Sequence, residues 1–164
     1  MKSVFPGELN LSYGDAPYDI HIEAKAVGKD ILASVTGGTR PHIGAAALAE
    51  PAGARHPVTG EPPSVTDGSR SVTGEPKSGE PKEGSPVLAA NTLGQDDPSP
   101  RVALLSAFGH KDALLAEMFA RGLCERYGAT VCAAAGVHVD DAGPDEIALM
   151  VENAKALLAL ALAL

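Results

Sequence analysis

The sequence predicts an α/β protein of the α+β kind: a mixed β-sheet with helices packed on it, in the chain order β-β-β-β-α-β-α. Three features carry this expectation. Apolar and polar residues alternate over 18–26, as in a half-buried strand. Two short apolar runs, 101–108 and 129–137, suit buried strands and are too short for helices. After each run, apolar residues recur at helical spacing.

In chain order, YDIHIEAKA (18–26) is the first strand, VGKD (27–30) offers a turn, and ILASVTG (31–37) returns as the other half of a hairpin. HIGAAALAE (42–50) reads as a third strand. Its small side chains suit either a crowded sheet centre or a ligand lying close over the backbone. RVALLSAF (101–108) is the fourth. HKDALLAEMFARGLCERYG then places Leu114, Leu115, Met118, Phe119 and Leu123 on a helical face, with Gly128 just past the helix end. ATVCAAAGV (129–137) is the fifth strand. GPDEIALMVENAKALLALA opens the second helix with Pro144 at its first position and Asp145 and Glu146 in its first turn, where the helix dipole favours acids.

The chain of 164 residues has room for one domain. Its composition changes near Glu50 and again near Arg101; of the 51 positions from 50 to 100, 9 are proline and 7 are glycine. A ragged repeat runs through them: PVTGEP (57–62), SVTDGS (64–69), SVTGEP (71–76). Such a segment buries too little apolar surface to offset the entropy of ordering it, so 51–99 reads as a disordered insertion in a single domain. Units this short, without periodic apolar positions, do not build a solenoid.

A formal charge of −8 argues against nucleic acid, which requires a basic face. Aromatic residues make up only 4%, too few for a base-stacking platform. MKSVFPGELN lacks the apolar centre of a signal peptide, and ALLALALAL at the end is too short to span a bilayer. A soluble cytoplasmic protein with no membrane association is expected. Cys124 and Cys132 form neither a disulfide framework nor a zinc motif, and are expected to be reduced.

Three glycine–histidine segments fall where a strand gives way to a loop or helix, the usual place for a ligand in an open sheet. In TGGTRPH (36–42), Gly37 and Gly38 allow backbone N–H groups to converge on a phosphate, and Arg40 adds a fork of donors; an ordinary turn with an exposed arginine is the alternative. The spacing matches neither a P-loop nor a dinucleotide fingerprint. In GHKD (109–112), Gly109 turns the chain while His110 and Lys111 sit at a helix N-terminus that attracts anions. The alternative is that Asp112 or His110 only caps that helix. In VHVDDAG (137–143), the H-x-D alternation aims His138 and Asp140 to one side, which suits a metal ion, although short acidic loops before helices are common. Brought to one sheet edge, the three segments would form a pocket for a phosphorylated cofactor.

Taken together, TGG-x-x-PHIGA-x-ALA, GHKD-x-x-LA and G-V-H-V-D-x-A resemble the LpdD-like family of prenylated-flavin chaperones, over roughly 18–50 and 101–153. The resemblance implies a homodimer that binds flavin mononucleotide (FMN) or prenylated FMN and delivers it to a UbiD-type decarboxylase of aromatic acids. It is an accessory protein more than an enzyme. The family's PHIG segment falls on Gly37 to Gly44, its GHKD on Gly109 to Asp112 and its HVD on His138 to Asp140. Within these segments, side-chain chemistry makes Gly37, Gly38, Arg40, His42, Gly44, Gly109, His110 and Lys111 the expected cofactor contacts. His138 and Asp140 are the expected ligands of a divalent or monovalent metal ion. Asp141 departs from the asparagine expected in relatives, and the long insertion is a second departure. Two other readings stay open: a metal-dependent hydrolase or lyase using His42, His110, His138 and Asp140, and an assembly subunit with no small ligand.

Overall fold

Alternation over the N-terminal half builds an antiparallel meander. In the computed structural model, which describes residues 4–53, 88–90 and 98–164, β1 (Glu8–Tyr13) pairs with β2 (Ile20–Val27), and β2 with β3 (Asp30–Gly38). Gly28, at a φ of +62°, supplies the left-handed residue that the tight β2–β3 turn requires. β4 (Ala45–Glu50), β5 (Leu88–Ala90), β6 (Arg101–Ser106), α1 (Ala113–Tyr127), β7 (Val131–His138) and α2 (Pro144–Ala163) follow. The seven strands form one sheet in the order β1-β2-β3-β7-β4-β6-β5. β7 lies between β3, to which it is parallel, and β4, to which it is antiparallel, so the sheet is mixed as expected.

Two strands were not anticipated. β1 alternates correctly, with Leu9 and Leu11 facing Ala24 and Ile22, but its few apolar residues lie between glycines and prolines that read as loop. β5 is three residues long and is defined by its pairing with β6, which no local pattern encodes. It lies within the 51–99 segment, most of which falls outside the described residues.

Both helices cover one face of the sheet. α1 packs on β4, β7 and β6, and α2 on β1 and β2. The buried layer joins Ile20, Ile22, Val35 and Val131 of the sheet to Phe119, Leu123 and Leu157 of the helices, all with no measurable exposure. Ala45, Ala47 and Ala49 of β4 point into this layer beneath α1, as do Ala133 and Ala135 of β7. Of the two readings of the HIGAAALAE alanines, the crowded sheet centre is the one found: their small side chains let α1 lie close. Gly128 ends α1 in the left-handed conformation (φ +66°), its N–H donating to the Cys124 carbonyl at 2.8 Å. Neither Cys124 nor Cys132 forms a disulfide among the described residues. Among the described residues, no helix is long and apolar enough to cross a membrane.

Candidate functional site

The three glycine–histidine segments meet at one end of the sheet, because β3, β7 and the start of β4 are neighbours there and α1 begins just beyond β6. Gly38, at a φ of +76°, turns the chain out of β3 so that the N–H groups of Thr39 and Arg40 both donate to the His138 carbonyl, at 2.8 and 3.2 Å. Pro41 cannot extend the ladder, and the chain then swings the His42 ring inward. On the opposite side Gly109, at a φ of +77°, reverses the chain after β6 and delivers His110. The rings of His42 and His110 lie 4.7 Å apart between centroids, and those of His42 and His138 6.0 Å apart.

Asp112 stands at the N-cap of α1, yet its carboxylate does not cap the helix. Instead, Oδ1 accepts the Val137 N–H at 3.0 Å, and Oδ2 lies 3.4 Å from Nε2 of His42 and 3.5 Å from Nδ1 of His110. This carboxylate is buried, with only 7% of the residue exposed. Sequence reading placed Asp112 in the GHKD segment at the helix N-terminus, with a cap as the alternative; nothing local shows that β7 offers it a backbone donor. The space for it depends on Gly44: a Cβ there would collide with Oδ2 of Asp112 and come within 3.0 Å of Nδ1 of His110. Gly136 does the same for the next layer, where a Cβ would strike the His42 carbonyl.

Beside this cluster, a pocket of about 460 Å³ opens between β7 and the first turns of α1 and α2. Its polar end carries His42, His110, Lys111 and Asp112; Val137, Val139, Leu114, Ile147, Met150 and Val151 form an apolar wall. Gly109 and His138 also line it. Lys111 is exposed and makes no ion pair among the described residues. Asp141, another lining residue, has a φ of +55°, the left-handed region that asparagine and aspartate tolerate best. A larger hollow of about 640 Å³, beside β1–β3, contains none of the three histidines.

Of the remaining expected site residues, Gly37, Gly38, Arg40 and Asp140 are not in the pocket lining. Gly37 is buried against the Asp19 carbonyl and Ile20, and half-buried Gly38 lies against the His138 carbonyl, so neither position has room for a side chain. Arg40 reaches sideways to Asp140 in an ion pair. His138 and Asp140 do come together as the H-x-D alternation predicts, at 3.1 Å, but the Arg40 guanidinium joins the same carboxylate and occupies it with positive charge.

The wall supplied by α2 is tied to the loop after β1. The Tyr18 hydroxyl donates to Glu146, whose other oxygen accepts the Gly143 N–H at 2.7 Å. The Tyr18 hydroxyl, and then the Gly143 N–H, hold the Glu146 carboxyl below its ordinary range; the bond to Glu146, partial burial and the carboxylate charge raise the Tyr18 phenol. Asn153 adds a bond from its side-chain amide to the Tyr18 carbonyl, at 2.9 Å.

A half-open apolar pocket with a few convergent polar groups at one end, on a sheet covered by helices on one face, is the build of a protein that binds a small organic ligand. The chain belongs to the family described as prenylated flavin chaperone LpdD-like domain, whose model matches residues 14–66 and 81–163. The unmatched stretch between the two parts, 67–80, lies within the proline-rich repeat. No curated protein matches the chain.

Proposed function

We propose that the chain binds FMN or prenylated FMN in the pocket between β7 and α2 and delivers it to a UbiD-type decarboxylase in the cytoplasm. The observation that carries this reading is the division of one 460 Å³ pocket into an apolar wall and a polar end. The wall suits a flat ring system with a prenyl-derived extension. The polar end offers a free Lys111 ammonium and the His110 imidazole to a phosphate at the start of α1. Partner docking is supported by the loops flanking the pocket: Ile43 is 72% exposed and Phe108 78%, large apolar side chains around an open mouth.

The homodimer uses the face of the sheet that the helices leave bare. Leu32, Cys132 and Leu48 lie side by side across it, with Ala134, Ala46 and Leu105 in the next row. Small residues between the leucines let two sheets approach to about 10 Å. Exposed Glu23 and Lys25 on β2 give a two-fold pairing both signs of charge.

The test is to purify the protein from cells that make prenylated FMN, measure its visible absorbance and the mass of the released cofactor, and then mix it with apo-decarboxylase. Stoichiometric flavin that restores decarboxylase activity is the expected result, with binding about tenfold weaker in Lys111→Ala, the scale of one lost charge-assisted contact. A protein that carries no flavin and takes up none when it is added would overturn the reading.

A further inference from the structure

The His42–His110–Asp112 cluster has features that flavin binding alone does not require. Nδ1 of His42 lies 3.1 Å from the Arg40 carbonyl. A carbonyl only accepts, so this contact assigns the ring proton to Nδ1 and leaves the Nε2 lone pair facing the cluster. A backbone carbonyl that fixes the tautomer in this way is the usual outer partner of a metal-bound histidine. Oδ1 of Asp112 is likewise held by the Val137 N–H, which aims Oδ2 at the same point. Nε2 of His42, Nδ1 of His110 and Oδ2 of Asp112 thus converge, all within 4.8 Å of one another.

The spacing is that of ligand atoms around one ion. A cation about 2.1 Å from three ligands has ligand–ligand edges of about 3.0 Å at right angles and about 3.4 Å in a tetrahedron. The edges here are 2.9, 3.4 and 3.5 Å. Gly44 is the residue that keeps this volume open.

We propose that His42, His110 and Asp112 form a binding site for a borderline divalent transition-metal ion such as Zn²⁺, Mn²⁺ or Fe²⁺. Two imidazoles and one carboxylate on one side of the ion are the donor set these metals take, whereas Mg²⁺ and Ca²⁺ favour oxygen alone. Three protein ligands leave coordination positions open, and these face the pocket that His42, His110 and Asp112 themselves line. There the ion takes water or an anionic oxygen of the bound ligand. The last step rests on the proposed function, in which that oxygen belongs to the cofactor phosphate. The metal site differs from the His138–Asp140 pair that spacing suggested, because Arg40 already neutralises Asp140.

The test is titration of the untagged, flavin-free full chain with Co²⁺, read by its visible ligand-field bands, followed by competition with Zn²⁺ and with excess Mg²⁺. Saturable, stoichiometric uptake displaced by Zn²⁺ but not by Mg²⁺ is expected. His42→Ala and His110→Ala should each weaken uptake at least about tenfold, since losing even an outer partner costs that much. His138→Ala and Asp140→Asn should retain it, with circular dichroism verifying that all four variants fold. No saturable uptake, uptake unchanged in His42→Ala and His110→Ala, or uptake that follows His138 and Asp140 instead, would overturn the site. Metal uptake by a protein that refuses flavin would support the site and sink the cofactor reading. Flavin bound equally tightly with and without metal would overturn the phosphate link.

Discussion

Gly44 and Gly136 are both closed to a side chain, by different kinds of neighbour. At Gly44 the obstacle is the Asp112 carboxylate; at Gly136 it is the backbone of His42 and Gly44. A carboxylate can turn aside, at the cost of its bond from Val137, whereas the backbone leading into β4, held to β7 by the Gly44 N–H, cannot. Gly44→Ala is therefore expected to lose about 1–3 kcal/mol, the range for leaving a buried donor without its partner, while weakening ligand binding at least about tenfold. Gly136→Ala should destabilise more, because the sheet itself must shift. Urea unfolding alongside flavin titration decides this; equal stability losses in the two variants would contradict the distinction. The same scale explains Asp112. Its sequence neighbours suggest a cap, and the nearby β7 donor gives it a different task.

The N-terminus of α2 is held as an element by the Tyr18–Glu146–Gly143 chain of hydrogen bonds. The Glu146 carboxyl is depressed, so its contribution is present above the ordinary carboxylate range and is lost as the pH falls through its folded value. The Tyr18 phenol is raised, so its contribution is present below the ordinary phenol value and is lost as the pH rises through its folded value. Tyr18→Phe and Glu146→Gln should each lower the urea midpoint at neutral pH. The gap from the wild type should shrink below about pH 4 and above about pH 10. A gap that persists unchanged at acid pH would show that the pair is not its source. The spacing of Pro144, Asp145 and Glu146 signalled this helix start correctly; the partner 128 residues away was invisible to it.

For the whole molecule, the proposed homodimer rests on the sheet face that the helices leave bare. Leu48 is 41% exposed and Leu105 48%, on adjacent strands of that face. A Leu48→Glu, Leu105→Glu double variant is expected to convert the dimer to a folded monomer, measured by light scattering with circular dichroism as the check on folding. An unchanged mass would show that the dimer forms elsewhere or not at all. Neither position lines the pocket, so flavin binding by the variant would separate assembly from ligand recognition.

Local pattern alone determined the hairpin of β2 and β3, the places of the short strands β6 and β7 and both helices with their glycine and proline boundaries, because burial on one face writes a period of two or 3.6 into the chain; β6, expected to be buried, buries Val102 but exposes Ala103 and Leu105, since the helices cover only one face of the sheet. The three glycine–histidine segments were also legible, since chain reversals at strand ends require glycine and isolated charged or imidazole groups stand out there. Only the tertiary structure decided how those segments share their work. Strand order sets His42 beside His110, turns Asp112 toward β7, and pairs Arg40 with Asp140, and none of these neighbours is near its partner in sequence. It likewise decided that the β4 alanines serve α1 and that β5 exists at all, because a strand of three residues is defined by the neighbour that completes its hydrogen bonds.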